Sequence, residues 1–125
     1  MSKFFNMVLG MKSGIVARAG GGAAAATPLA LGFNQIDTVA TAADSVLLPP
    51  AIVNAWCWVC NNGAASLSAY NLQSNAQNGG AADSVILHGV LTVVSGATAV
   101  TLASGHSSLF VCMSLGYWKQ IADFA

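Results

Sequence analysis

Glutamate is absent from this chain, and charge of either sign is scarce. Charged residues make up 6% of its 125 residues, against roughly 25% in an ordinary soluble domain. A surface built from Ala, Ser, Thr, Gly and Asn has little protection against association. Much of it is therefore expected to be covered by copies of the chain or by a partner. Long apolar runs are missing as well. A spanning helix needs about 18 or more apolar residues in succession, and the stretch Ala51–Cys60 is already broken by Asn54. Phe4–Met11 is too short for a secretory signal, is interrupted by Asn6 and Gly10, and meets Lys12 too early. No membrane partner is expected.

Cysteine is nearly lacking. Cys57, Cys60 and Cys112 are an odd set, which argues against a fully paired disulfide framework. Cys57-Trp58-Val59-Cys60 has the spacing of a redox motif, but its Trp and Val residues prefer a strand. Residues three apart on a strand point to opposite faces, so the two thiols are not expected to meet. Asn61-Asn62-Gly63 stops any helix there. Core thiols are the expectation.

Groups able to do chemistry are equally few. His88 and His106 each stand next to a glycine, at a strand end and in a turn. Asp37, Asp44, Asp83 and Asp123 are isolated, without calcium-loop spacing. No serine stands in a G-x-S-x-G elbow. Gly20-Gly21-Gly22 lacks the Lys-Ser/Thr of a phosphate loop and is read as a tether. No enzyme activity, cofactor or metal site is expected. Nucleic-acid binding needs a basic face, and the chain after Arg18 is net acidic.

What is present falls into two unlike parts. Met1–Arg18 carries Lys3, Lys12 and Arg18 and no acid, with Phe4, Phe5, Met7, Val8, Leu9, Met11 and Ile15 among them. A solvated tail rarely holds so many apolar residues. These ten residues are expected to form a docking arm, joined by the Gly/Ala run to Ala26. Residues 27–125 form the body.

From Thr27 the pattern is short strands punctuated by turns. Strands are expected at Phe33–Thr41, Asp44–Leu48, Ile52–Cys60 and Ser66–Tyr70. Val85–Leu87, Val90–Val94, Ala99–Leu102, Ser107–Met113 and Tyr117–Ala122 follow. Ile52–Cys60 reads as buried on both faces, and Ser66–Tyr70 as its return after the Asn61-Asn62-Gly63 turn. Leu72–Ala82 reads as a loop. The spacing predicts an all-β fold: a small antiparallel sandwich or barrel, jelly-roll-like. Ala42–Leu48 (AADSVLL) and Ala81–Leu87 (AADSVIL) match at six of seven positions and predict two similar Asp/Ser corners. The aromatics Trp56, Trp58, Tyr70 and Phe110 are expected in core or subunit interface. Tyr117 and Trp118 are neighbours on one strand, so one must face outward as an oligomer or partner contact.

The stretch Thr27–Trp118 resembles small β-rich domains of tailed-bacteriophage virion proteins. The likeness rests on Thr27-Pro28-Leu29, Gly32-Phe33-Asn34, Thr38–Ala42 and Asp44–Ala51. It continues through Asn61–Ala64, Ser66-Leu67, Val100–Gly105, Leu109–Cys112 and Trp118. The longer loop Leu72–Ala82 departs from that pattern, and the basic arm lies outside it. The resemblance implies a capsid decoration (cement) protein, usually a homotrimer, bound to the major capsid protein on the outer surface of the virion. The arm would contact capsid subunits. A head- or tail-fibre module is the alternative, binding host-surface glycans through Trp118 and Asn residues of the Leu72–Ala82 loop.

Overall fold

A computed structural model describes residues 11–20, 22–90, 92–95 and 98–125. The fold is all-β, with single 3₁₀ turns at Ala23–Ala25 and Ala76–Asn78. The strands are β1 (Met11–Val16), β2 (Thr27–Pro28), β3 (Gly32–Thr38), β4 (Ser45–Leu47), β5 (Trp56–Asn61) and β6 (Leu67–Tyr70). After them come β7 (Ser84–Ile86), β8 (Val93–Ser95), β9 (Ala99–Leu102), β10 (Ser107–Ser114) and β11 (Tyr117–Phe124). One sheet has seven strands in the order β1-β3-β5-β10-β11-β7-β8; the other has four, β2-β4-β6-β9.

Both sheets are mixed, which corrects the antiparallel expectation. The pairs β1/β3, β3/β5, β7/β11, β2/β4 and β4/β6 are parallel. The cause is the path of the chain. From β2 to β6 each strand joins the sheet opposite to the one before it. A chain that crosses over and crosses back re-enters its first sheet in the same direction. Asn61-Asn62-Gly63 thus carries the chain from one sheet to the other and closes no hairpin. Gly63 also has no positive φ. It is required because a Cβ there would lie 2.5 Å from the backbone nitrogen of Val39.

Strand β1 alters the reading of the N-terminal region. Residues 11–16 pair with β3, Ile15 and Ala17 are buried in the core, and Arg18 bridges to Ser45. This part is a sheet edge and no separate arm. Its sequence disguised the fact because an edge strand buries few positions; only Ile15 of the six in β1 is buried.

One core cluster draws on both sheets. Ile36, Cys57, Val59, Val85, Phe110 and Trp118 come from the seven-stranded sheet; Val46, Leu67, Ala69, Val100 and Leu102 come from the other. Each large side chain so buried contributes about 1.5–3 kcal/mol. The repeated Asp/Ser segments hold corresponding corners in different sheets. Asp44 Oδ2 accepts from the Ala40 amide at 2.8 Å, and its Oδ1 from the Thr41 hydroxyl at 2.8 Å, just before β4. Asp83 Oδ2 accepts from the Ala51 amide at 2.8 Å, and its Oδ1 from Asn75 Nδ2 at 2.9 Å, just before β7.

Candidate interaction face

The alternation of side chains along a strand sorts the seven-stranded sheet into two faces. One is the core. The other carries Phe33 and Gln35 of β3, Trp56, Trp58 and Cys60 of β5, and Leu109, Val111 and Met113 of β10. Tyr117, Lys119 and Ile121 of β11 continue it. Strand β5 is therefore buried on one face only, contrary to expectation. The sequence signal was the Trp56-x-Trp58 spacing, which puts both indoles on one side.

Register places these residues in rows. Phe33 lies opposite Trp58, and Trp58 opposite Leu109. Trp56 lies opposite Val111, and Val111 opposite Lys119. The rings touch: Phe33 meets Trp56 edge-on at 5.2 Å between centroids and Trp58 at 5.6 Å. Trp58 stacks on Phe124 at 5.6 Å and 6°. Such pairs contribute about 0.5–1.5 kcal/mol each beyond area burial, so the aromatic row is held in place before any partner arrives. Between Phe33, Trp56, Trp58, Val111 and Met113 runs a shallow apolar hollow of about 470 Å³. Met113, which lines it, is 74% exposed, and β1 and β11 carry further exposed apolar residues: Met11 (73%), Phe124 (50%) and Ile121 (41%). Phe33 and Leu109 were not singled out from the sequence, since a lone apolar residue on a strand does not tell which face it serves.

The candidate contact residues fare differently. Tyr117 is 45% exposed on the outer face, whereas Trp118 is fully buried, its Nε1 donating to the Pro49 carbonyl at 3.0 Å. Trp118 is thus a core residue and no contact residue. The glycan site built around it is lost for the same reason. Among the arm residues, Met11 is exposed beside Phe33, and Lys12 and Arg18 are exposed. Ile15 is buried in the core and is no capsid contact. Lys3, Phe4, Phe5, Met7, Val8 and Leu9 lie outside the described residues.

Ionisable groups are dispersed. Hydrogen bonds from Gln35, Asn62 and the Gly14 amide hold the Asp37 carboxyl below its ordinary range. Asp44 is lowered likewise, chiefly by Thr41 and the Ala40 amide. Burial pushes the Cys57 thiol up to about 12 and raises Cys112. Cys60 is half-buried on the opposite face from Cys57, and all three cysteines are free. Ser108 donates to Asp123 Oδ1 at 3.3 Å, and His106 Nδ1 lies 3.8 Å from the same oxygen. The carboxylate stands between hydroxyl and imidazole, so this string does not place the histidine as a base on the serine. Among the described residues no three His, Cys, Asp or Glu side chains are grouped to hold a metal ion, and no helix is long and apolar enough to cross a membrane. The feature these residues build is an ordered apolar surface. No family model, curated protein or solved structure matches this chain.

Proposed function

We propose that this chain is a structural assembly protein, acting by association and not by catalysis: a capsid decoration protein on the outer surface of a tailed-phage head. The observation that carries this reading is the outward aromatic row of Phe33, Trp56 and Trp58 on a chain with so few charges. An apolar sheet face of this extent suits protein–protein contact. The residues resembling phage virion domains point the same way. In this proposal the two sheets stack as a sandwich, and the body associates with copies of itself, as a trimer in the resembling domains. Residues 1–10, with Lys12 and Arg18, contact subunits of the major capsid protein.

The test is co-sedimentation with undecorated phage heads. The full chain is expected to pellet with heads at a fixed ratio per capsid subunit, and a chain beginning at Met11 to lose most of that binding. A truncation reaching Arg18 is unsuitable, because it removes β1 and takes Ile15 and Ala17 out of the core. If the full chain fails to bind heads, the decoration reading is wrong. If the chain from Met11 binds as well as the full one, the role given to residues 1–10 is wrong.

A further inference from the structure

We infer that the outer face of the seven-stranded sheet is occupied by a second copy of this chain, seated over the Trp56–Trp58 hollow. The inference rests on the self-association proposed above and names its surface. A contact of one face with the same face of a copy closes on two chains, so it gives a pair in place of the trimer of the resembling domains.

Three observations support a copy as the occupant. The first is extent. Six inter-strand spacings of about 4.8 Å, and about six residues at 3.4 Å along the strands, make a face of roughly 600 Å² in projection. Side-chain relief brings this to the scale of the ~800 Å² per partner that a stable interface needs. The second is charge. Along β3 and β11 the face presents one carboxylate, Asp37, and one cation, Lys119, on strands three positions apart in the sheet. Two copies laid face to face bring opposite charges in equal number, and no like-charge excess accumulates. The third is that lateral addition at β1 is obstructed. Strand β1 carries register shifts between Lys12 and Val16, Gly14 at φ 68°, and the exposed Lys12. A bulge and a lysine are standard obstacles to adding another strand at an edge. At that side of the sheet, self-association is left with the face and not the edge.

The hollow explains how faces of this kind interlock. Met113 projects beside Trp56 and Val111 and is 74% exposed. A methionine is flexible and polarisable, and its thioether packs well against aromatic rings. Met113 of one copy is the side chain suited to fill the hollow of the other, with Phe124, stacked on Trp58, as a second exposed apolar contact.

The experiment compares the full chain with the double variant Met113→Lys, Phe124→Lys by sedimentation equilibrium and tryptophan fluorescence. Both positions are exposed, so the variant is expected to keep the wild-type circular dichroism spectrum. The single variant Met113→Lys serves in its place if the double variant does not. The expected result is an oligomeric full chain with blue-shifted tryptophan emission. The variant should associate at least about 100-fold more weakly, as for loss of central interface residues, with red-shifted emission. A wild-type chain that is monomeric at high micromolar concentration overturns the inference. So does an oligomer whose mass the substitutions leave unchanged, whatever its emission, since another surface then carries it and Phe124 touches Trp58 within one chain. A chain beginning at Met11 that has unchanged mass but red-shifted emission identifies residues 1–10 as the occupant, which also overturns it. Failure to bind phage heads bears on the decoration reading alone and leaves this result standing.

Discussion

The two faces of the seven-stranded sheet are both apolar, yet they differ in how their polar groups are treated. On the inner face the exceptions are each satisfied. Asn34 exchanges hydrogen bonds with the backbone of Ala30, Gln120 donates to Ser108, and Trp118 donates to Pro49. A group buried without such a partner costs about 1–3 kcal/mol, and beyond this face Asn71 Oδ1, just after β6, is the one buried side-chain polar atom without a partner among the described residues. On the outer face the indoles of Trp56 and Trp58 are only half-buried, and the apolar atoms around them meet solvent. The inner face is closed within one chain; the outer face is complete in shape but has no cover among the described residues. The contrast separates residues that make the fold from residues free to serve association.

The contrast is broken most sharply by a pair of tryptophan substitutions. Trp118→Ala is expected to cost about 3–5 kcal/mol, the range for a large aromatic removed from a core. Trp58→Ala, measured on monomeric protein, should cost less, about 1–3 kcal/mol for its two ring contacts. Urea unfolding of the two variants checks this; equal losses would erase the distinction between faces. Next comes Gly63→Ala, at the crossing between sheets. The added methyl meets Val39 backbone at 2.5 Å, and such overpacking costs about 1–3 kcal/mol. An unchanged urea midpoint would show that the crossing can widen freely.

A smaller effect follows from the lowered carboxylates. Asp37 and Asp44 both titrate below the ordinary 3.8 in the folded chain. Stability they contribute is therefore present above about 3.8 and is lost as pH falls through their folded values. Unfolding midpoints from pH 5 to 2 should drop less steeply for Asp44→Asn than for the wild type. Asp37→Asn should act in the same direction, sharpening whether the outer face shares in acid stability. The smallest effect is chemical. Cys60 should react first with a thiol reagent at pH 8. Cys57, fully buried with its pKa near 12, should react only on unfolding. Simultaneous labelling of both would mean that the inner face opens.

Much of the strand layout was legible in the sequence. Ala99–Leu102 is a strand as expected, and Ser107–Ser114 and Tyr117–Phe124 extend their expected ranges by one and two residues. Turn residues such as Gly116, at φ 83°, punctuate these runs, and local backbone preference does not depend on the rest of the fold. The opposite facing of Cys57 and Cys60 was legible for the same local reason. The status of Met11–Val16 was not. Its apolar residues fit a docking arm as well as an edge strand, and only pairing with β3, distant in sequence, decides between them. Nor could Tyr117 and Trp118 be told apart. Adjacent strand residues face opposite ways, but sequence does not say which way is in.

By itself the sequence determined most of the strands after Gly32, their punctuation, the two Asp/Ser corners and the poverty of charge. Each is a property of a few neighbouring residues or of composition. The tertiary structure alone decided that strands β2 to β6 step between sheets, and so pair in parallel. It alone decided that the Trp56–Trp58 side is the outer one. Period-two alternation gives every strand two faces, and only packing against a second sheet chooses which of them becomes core.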